Sequence, residues 1–320
     1  MSFVGAGSSV VALAYNSDLI RPALVLGVAA AGLYGLLAVS LVLTYRVSRT
    51  IGFVQGGVAL AGAYLYRYLT VGSEQVVSEE RLGEIPALVI TVLAGGVVGA
   101  LYGAVVTGKR MANYPRIVVT MFSLAALLLL AGFATTLIPA DEGRVPSAFG
   151  TGVVTVFGGV ATIHQVATVV ILLALVGLLT VALRHTRTGV FIRAIADDVE
   201  ASRVVGIPLT RMGSGVYVFS GAIAGLAGVL LASSVGTAMP NILFIFLRAL
   251  IVAVLGGLTS LPLALAGCLL LGVAETILTA GVFGIVPTDQ RELIVMGLIF
   301  GLVFVINRLR PIRVLEATGF

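Results

Sequence analysis

The chain has no tryptophan, one cysteine and two histidines in 320 residues, and only 10% of its residues are charged. Each shortage removes a class of protein. A lone Cys268 cannot form an internal disulfide, and its place inside an apolar run reads as a small buried thiol. His164 and His185 belong to no HExxH pair and to no His, Cys and carboxylate cluster at ligand spacing, so no metal centre is expected. No GxxxxGK followed by Ser or Thr is present, so a Walker-type nucleotide site is not expected on this chain. A hydrolase within a membrane needs its nucleophile and base at one depth. Ser214, between Gly213 and Gly215, falls at the opposite edge from His164. The expectation is a protein that is not an enzyme and binds no cofactor or metal itself.

What the chain has is hydrocarbon. Hydrophobic residues make up 59%, glycine contributes 40 residues, and the mean hydropathy is +1.15. Continuous apolar runs of roughly 18 residues or more read as helices crossing about 30 Å of lipid. A spanning barrel would alternate apolar and polar residues in short segments instead. The fold class is therefore an all-α integral membrane protein, a polytopic bundle of about eight to ten spans in one domain over 1–320. The runs lie near 23–44, 51–70, 86–107, 115–138, 166–183, 214–235, 242–258, 261–280 and 291–307. No basic region precedes the first, so a cleaved signal peptide is not expected.

The net charge of +5 and pI near 9.7 reflect topology rather than nucleic-acid binding. Thirteen of the nineteen Lys and Arg fall in alternate gaps, from Arg46 and Arg49 through Lys109 and Arg184 to Arg313. The positive-inside rule then puts the N-terminus outside and the C-terminus in the cytoplasm. Tyr64, Tyr66 and Tyr68 around Arg67 read as an outer aromatic belt with a snorkelling arginine.

Two segments are interrupted: 51–62, with Phe53, Gln55, Gly56 and Gly57, and 239–260, which carries Arg248 and ends in Gly256 and Gly257. Paired broken segments point to a transporter's pathway. GGVALAGAYL (56–65) and LPLALAGCLL (261–270) leave an internal repeat open. Gly95, Gly99 and Gly103 form one small-residue ridge, and Gly221 with Gly225 another, as close helix packing in lipid requires. Glu275 is the one acid deep in a span, open to a packing, cavity or ion-coupling role.

The longest polar stretch is a loop over 184–213, RHTRTGVFIRAIADDVEASRVVGIPLTRMG. At helical spacing Phe191, Ile195 and Val199 share one face, and Arg193, Asp197, Glu200 and Arg203 the other. Arg193 with Asp197 and Glu200 with Arg203 are spaced as helical ion pairs, and Gly206 and Pro208 stop the helix. A lipid-surface helix would favour basic residues; the acids Asp197, Asp198 and Glu200 favour a protein groove.

The run RTGVFIRAIADDVEASRVVGIPLTR, then FSGAIAGLAGVLLA and VLGGLTSLPLALAGCLLLGVAET, resembles the permease subunits of branched-chain amino acid ABC transporters, closer to the shorter of the two paired types. The resemblance spans roughly 30–310 and is strongest over 184–278. It implies that the loop is the coupling helix that docks on the ATPase, through Arg193, Ala194, Asp197, Asp198, Glu200, Ala201, Gly206 and Ile207. It also implies a second permease subunit, in a hetero- or homodimer, two cytoplasmic ATPases holding ATP and magnesium, and an extracytoplasmic solute-binding protein. The setting is lipid, in a bacterial cytoplasmic membrane. Phe53, Gln55, Gly56, Gly57, Gly256, Gly257 and Glu275 are the expected pathway residues. One departure stands out. The family's Asn-Phe-Ala-His-Gly-Glu segment reads Gly52-Phe53-Val54-Gln55-Gly56-Gly57 here, so a less charged path is expected; the resemblance implies a small polar solute, a branched-chain amino acid or a related amino acid, amide, urea or short carboxylate. The alternative is a stand-alone carrier or facilitator.

Overall fold

A computed structural model describes residues 17–72, 82–108, 111, 114–137, 143, 145–150, 152–156, 158–258, 260–279, 297 and 301. The central element is α1 (Ser17–Ser48). Its 32 residues span roughly 48 Å at 1.5 Å per residue. Leu36, Leu37, Ala38, Val39, Leu41, Val42 and Leu43 are all buried, so the helix is covered around its whole circumference. At its end Arg49 takes a left-handed φ of 54°, and the chain reverses into α2 (Val54–Thr70).

Next come α3 (Glu84–Val106) and α4 (Arg116–Leu137). An antiparallel hairpin follows, β1 (Val153–Val156) with β2 (Gly159–Thr162), Val153 opposite Thr162. The apolar pattern does not foretell this hairpin, whose strands have four residues each. α5 (Ile163–His185) starts in a capping box: the Thr162 side chain accepts from the Gln165 amide, and the Gln165 side chain accepts from the Thr162 amide. The polar loop forms α6 (Arg187–Asp197) and α7 (Val199–Val204). α8 (Leu209–Val235), α9 (Met239–Leu255) and α10 (Leu261–Thr279) complete the described chain.

Among the described residues six helices are long and apolar enough to cross a membrane: α1, α3, α4, α5, α8 and α10. α2 and α9 have 17 residues each, at the short limit for a span. The run at 291–307 lies almost wholly outside the described residues. α10, α8, α9 and α5 pack around α1, while α2 is held between α8 and α4. The two ALAG segments thus have different neighbours, α8 and α4 for one, α1 and α9 for the other.

The two glycine ridges meet each other. A Cβ at Gly95 would come within 2.5 Å of the Gly221 carbonyl oxygen, and one at Gly225 within 3.0 Å of the Thr91 carbonyl oxygen. α8 approaches α2 in the same way, with Gly62 facing the Gly225 backbone and Gly228 the Ala59 carbonyl. Lipid tails are as apolar as leucine, so such backbone proximity is what holds α8 between its neighbours.

Candidate functional site

The loop between α5 and α8 is built by caps. Thr186 ends α5 in an extended conformation and accepts a 3.0 Å hydrogen bond from the Gly189 amide, which starts α6. A side chain at Gly189 would collide with the last carbonyls of α5, so glycine allows the tight reversal. α6 then lies back against α5 and α1 through the buried Ile192 and Ile195. Of the expected Phe191, Ile195 and Val199 line, Ile195 is buried and Val199 half-buried, but Phe191 faces outward at 37% exposure and Ile192 is buried in its place.

The loop is also two helices rather than one. Asp198 is extended (φ −148°, ψ 113°), and its carboxylate accepts from the Glu200 amide at 2.8 Å and the Ala201 amide at 3.0 Å. Local side-chain bonding of this kind competes with helix continuation. Asp198 is therefore the cap of α7, with its carboxylate still at the exposed surface of the loop. α7 ends in a Schellman arrangement: Gly206 at φ 86° donates to the Arg203 carbonyl and Ile207 to the Ser202 carbonyl. Gly206 and Ile207 thus shape the exit toward Pro208 and α8.

Arg193, Asp197, Glu200 and Arg203 are all exposed, and neither expected helical pair closes to ion-pair distance. Ala194 is half-buried and Ala201 exposed. The tip holds two residues that charge patterning missed, Val204 at 88% and Val205 at 79% exposure. Two adjacent apolar side chains are thus bared in the most polar loop of the chain. Their sequence signal was the unbroken Val-Val step ahead of Gly206.

The expected pathway residues do not form one cluster. Phe53 meets Phe246 of α9 edge to face with ring centroids 6.4 Å apart, and a Cβ at Gly56 would strike the same Phe246 ring at 2.8 Å. Gly57 fits against the Leu127 backbone of α4. Gln55 is 1% exposed; its Nε2 donates to Ser220 Oγ at 2.9 Å, while its Oε1 is buried without a partner. Gly256 and Gly257 form the turn into α10, with Gly256 tight against the Ala264 backbone.

Glu275 makes contacts of its own. Arg248 Nη1 stands 2.9 Å from Glu275 Oε1, and the Tyr34 hydroxyl donates to Glu275 Oε2 at 2.8 Å. Arg248 also donates to Tyr34 Oη at 3.3 Å, with its guanidinium 5.9 Å from the ring centroid. The triad ties α1, α9 and α10 together and neutralises both charges, as intramembrane charges require. Tyr34, separated from Glu275 by 241 positions, carried no sequence signal of this role.

At the other end of the bundle, Tyr64, Tyr66 and Arg67 are buried; only Tyr68 is exposed. The segment 143–150 covers them. The Tyr66 hydroxyl donates to the Pro146 carbonyl at 3.2 Å, and the absent side chain of Gly143 leaves room for Arg67 Nη1. Neither an aromatic belt nor a snorkelling arginine forms here. His164 is buried beside the same segment, with Nδ1 2.8 Å from Ser147 Oγ and Nε2 3.1 Å from both the Leu230 carbonyl and Ser234 Oγ. It is a packing histidine joining α5, α8 and segment 143–150. Among the described residues no group of His, Cys and acids could hold a metal ion.

A family model described as the branched-chain amino acid transport system, permease component, matches residues 3–306. The high-affinity branched-chain amino acid transport system permease protein LivH of Escherichia coli is 28% identical over 287 residues, 85% of this chain and 89% of the relative. The permease protein BraD of Pseudomonas aeruginosa, of the same description, is 27% identical over 303 residues, 91% and 94% of the two chains. The probable branched-chain amino acid transport permease LivH of Methanocaldococcus jannaschii is 28% identical over 268 residues, 78% and 79%. No solved structure matches the chain.

Proposed function

The chain belongs to the family of permease components of branched-chain amino acid transport systems, as a multi-pass permease subunit of an ABC importer, and we propose that the loop 187–205 couples it to the ATPase. The observation that carries this reading is the bared Val204–Val205 tip, flanked by the unpaired charges Arg193, Asp197, Glu200 and Arg203. An apolar knob with a mixed-charge rim is the anatomy of a protein interface, apolar at its centre and polar at its edge.

From α7 the chain passes through Pro208 directly into α8, and α8 is close-packed on α3 and α2. A displacement of α7 by ATPase closure therefore reaches the two helices that α8 touches. Alternating access follows from moving α5 and α8, the latter carrying α3 and α2 with it, relative to the rest of the bundle. Reciprocity requires that whatever favours ATPase closure also changes the preference for the loaded binding protein at the opposite face. That partner docks near segment 143–150 and the hairpin. The N-terminus lies outside, and a second permease subunit, this chain or a paired type, completes the path between two ATPases.

The solute is a small polar molecule of the amino acid class, a branched-chain amino acid or a related amino acid, amide, urea or short carboxylate. Gln55 with its unused carbonyl offers a neutral contact where the family pattern places charge. The stand-alone carrier reading loses support, because Glu275 has both carboxylate oxygens engaged by Arg248 and Tyr34. In the test, Asp197→Lys with Glu200→Lys abolishes ATP-driven uptake while the chain still inserts in the membrane. ATP-driven uptake at the unaltered rate in that variant would remove the docking assignment.

A further inference from the structure

We propose that the groove between α1 and α5, at the end of the bundle that carries the hairpin, binds one anionic phospholipid. The groove encloses about 780 Å³ and has an apolar body: Val25, Val28 and Ala29 of α1 face Val166, Val169 and Val170 of α5. Its volume is that of a ligand site, and its polar lining residues are Arg21 and Gln165, both near the helix starts.

Gln165 is already engaged, since its Oε1 accepts the Thr162 amide at 3.0 Å in the α5 cap. Arg21 is exposed, forms no ion pair among the described residues, and stands near the start of α1. Gly158 beside it presents no side chain; a Cβ there would be 3.9 Å from Arg21 Nη1. The result is a cationic lip above a hydrocarbon trough.

Two features select the occupant. Among the described residues no carboxylate lines the groove, so the ammonium of a zwitterionic solute finds no partner among them. Leu24, Val166 and Val170 along its edge are exposed, so the trough opens sideways to the surrounding hydrocarbon. An acyl chain moving from bilayer to groove gains little, because both are apolar. Selection therefore falls on the headgroup, through a charge-assisted bond between Arg21 and the lipid phosphate.

The assembled transporter, purified in mild detergent, is titrated with phosphatidylglycerol and phosphatidylcholine of equal chain length and read by native mass spectrometry. The wild type retains one phosphatidylglycerol per copy of this chain and prefers it by roughly tenfold, the effect of one charged hydrogen bond. Arg21→Gln removes the preference and Arg21→Lys keeps most of it. Val28→Phe fills the trough, leaves Arg21 in place and loses the bound lipid. A wild type that retains no lipid, because a protein segment fills the groove, would overturn the assignment. So would an undiminished preference in Arg21→Gln, or displacement of the lipid by soluble glycerol phosphate at comparable concentration.

Discussion

Gly95 and Gly96 are neighbours in α3 with the same helical backbone, and they differ in what faces them. A methyl group at Gly95 would lie 2.5 Å from the Gly221 carbonyl oxygen and 3.1 Å from the Gly225 Cα, both backbone atoms of α8. At Gly96 the nearest atom would be 3.6 Å away, an ordinary contact. Restoring the Gly95 contact to about 3.3 Å requires the helices to part by roughly 0.8 Å. Neither helix can yield locally, because α8 is held by glycine contacts on α2 as well. Overpacking of this kind costs about 1–3 kcal/mol. Both alanines gain about 0.5–1 kcal/mol from helix propensity, which cancels in the comparison. Gly95→Ala is therefore expected to be about 1–3 kcal/mol less stable than Gly96→Ala, measured by reversible unfolding in mixed micelles. Equal midpoints, or a larger loss at Gly96, would refute close packing of α3 on α8 as the stabilising contact.

The partly buried triad gives a second test. Glu275→Gln alone leaves Arg248 charged and unpaired and is expected to cost about 3–5 kcal/mol, whereas Arg248→Met with Glu275→Gln restores most of that loss. Additive losses in the same unfolding assay would show that the two residues do not act as a pair. His164→Leu removes the contacts to Ser147, Leu230 and Ser234 and is expected to cost about 1–3 kcal/mol with ATPase coupling unchanged. A change in the uptake-to-hydrolysis ratio would give His164 a role in transport rather than packing.

Much of the bundle is legible in the sequence because the signal for a span is local. α1, α3, α4, α5, α8 and α10 follow from apolar runs, and each ridge of glycines follows from its own spacing. That the ridge of α3 meets the ridge of α8 is not local, since it depends on which helices become neighbours. Burial of Arg67 is hidden for the same reason, because it requires segment 143–150 to fold over α2. The break at Asp198 was a contest between two local preferences. The amphipathic pattern of 190–205 favours one helix, and the aspartate carboxylate bonding to two amides decides for two. The exposed charges of the loop were readable, whereas the Val-Val step ahead of Gly206 was the one local sign of the tip: apolar residues at a loop read as core until the caps show them pointing away. Gly256 and Gly257, read as the glycine break that ends the 239–260 segment, form the turn into α10.

The central claim is that the α6–α7 loop is the surface the ATPase grips. Val205→Cys places a single reactive thiol at the tip, since the native Cys268 is fully buried. A photoreactive label on that thiol, in an assembled transporter active in ATP-driven uptake, is predicted to crosslink to the ATP-binding subunit with a yield that changes between nucleotide-free and ATP-bound states. Labelling that leaves the ATP-binding subunit uncrosslinked in both states, while transport continues, would contradict the account.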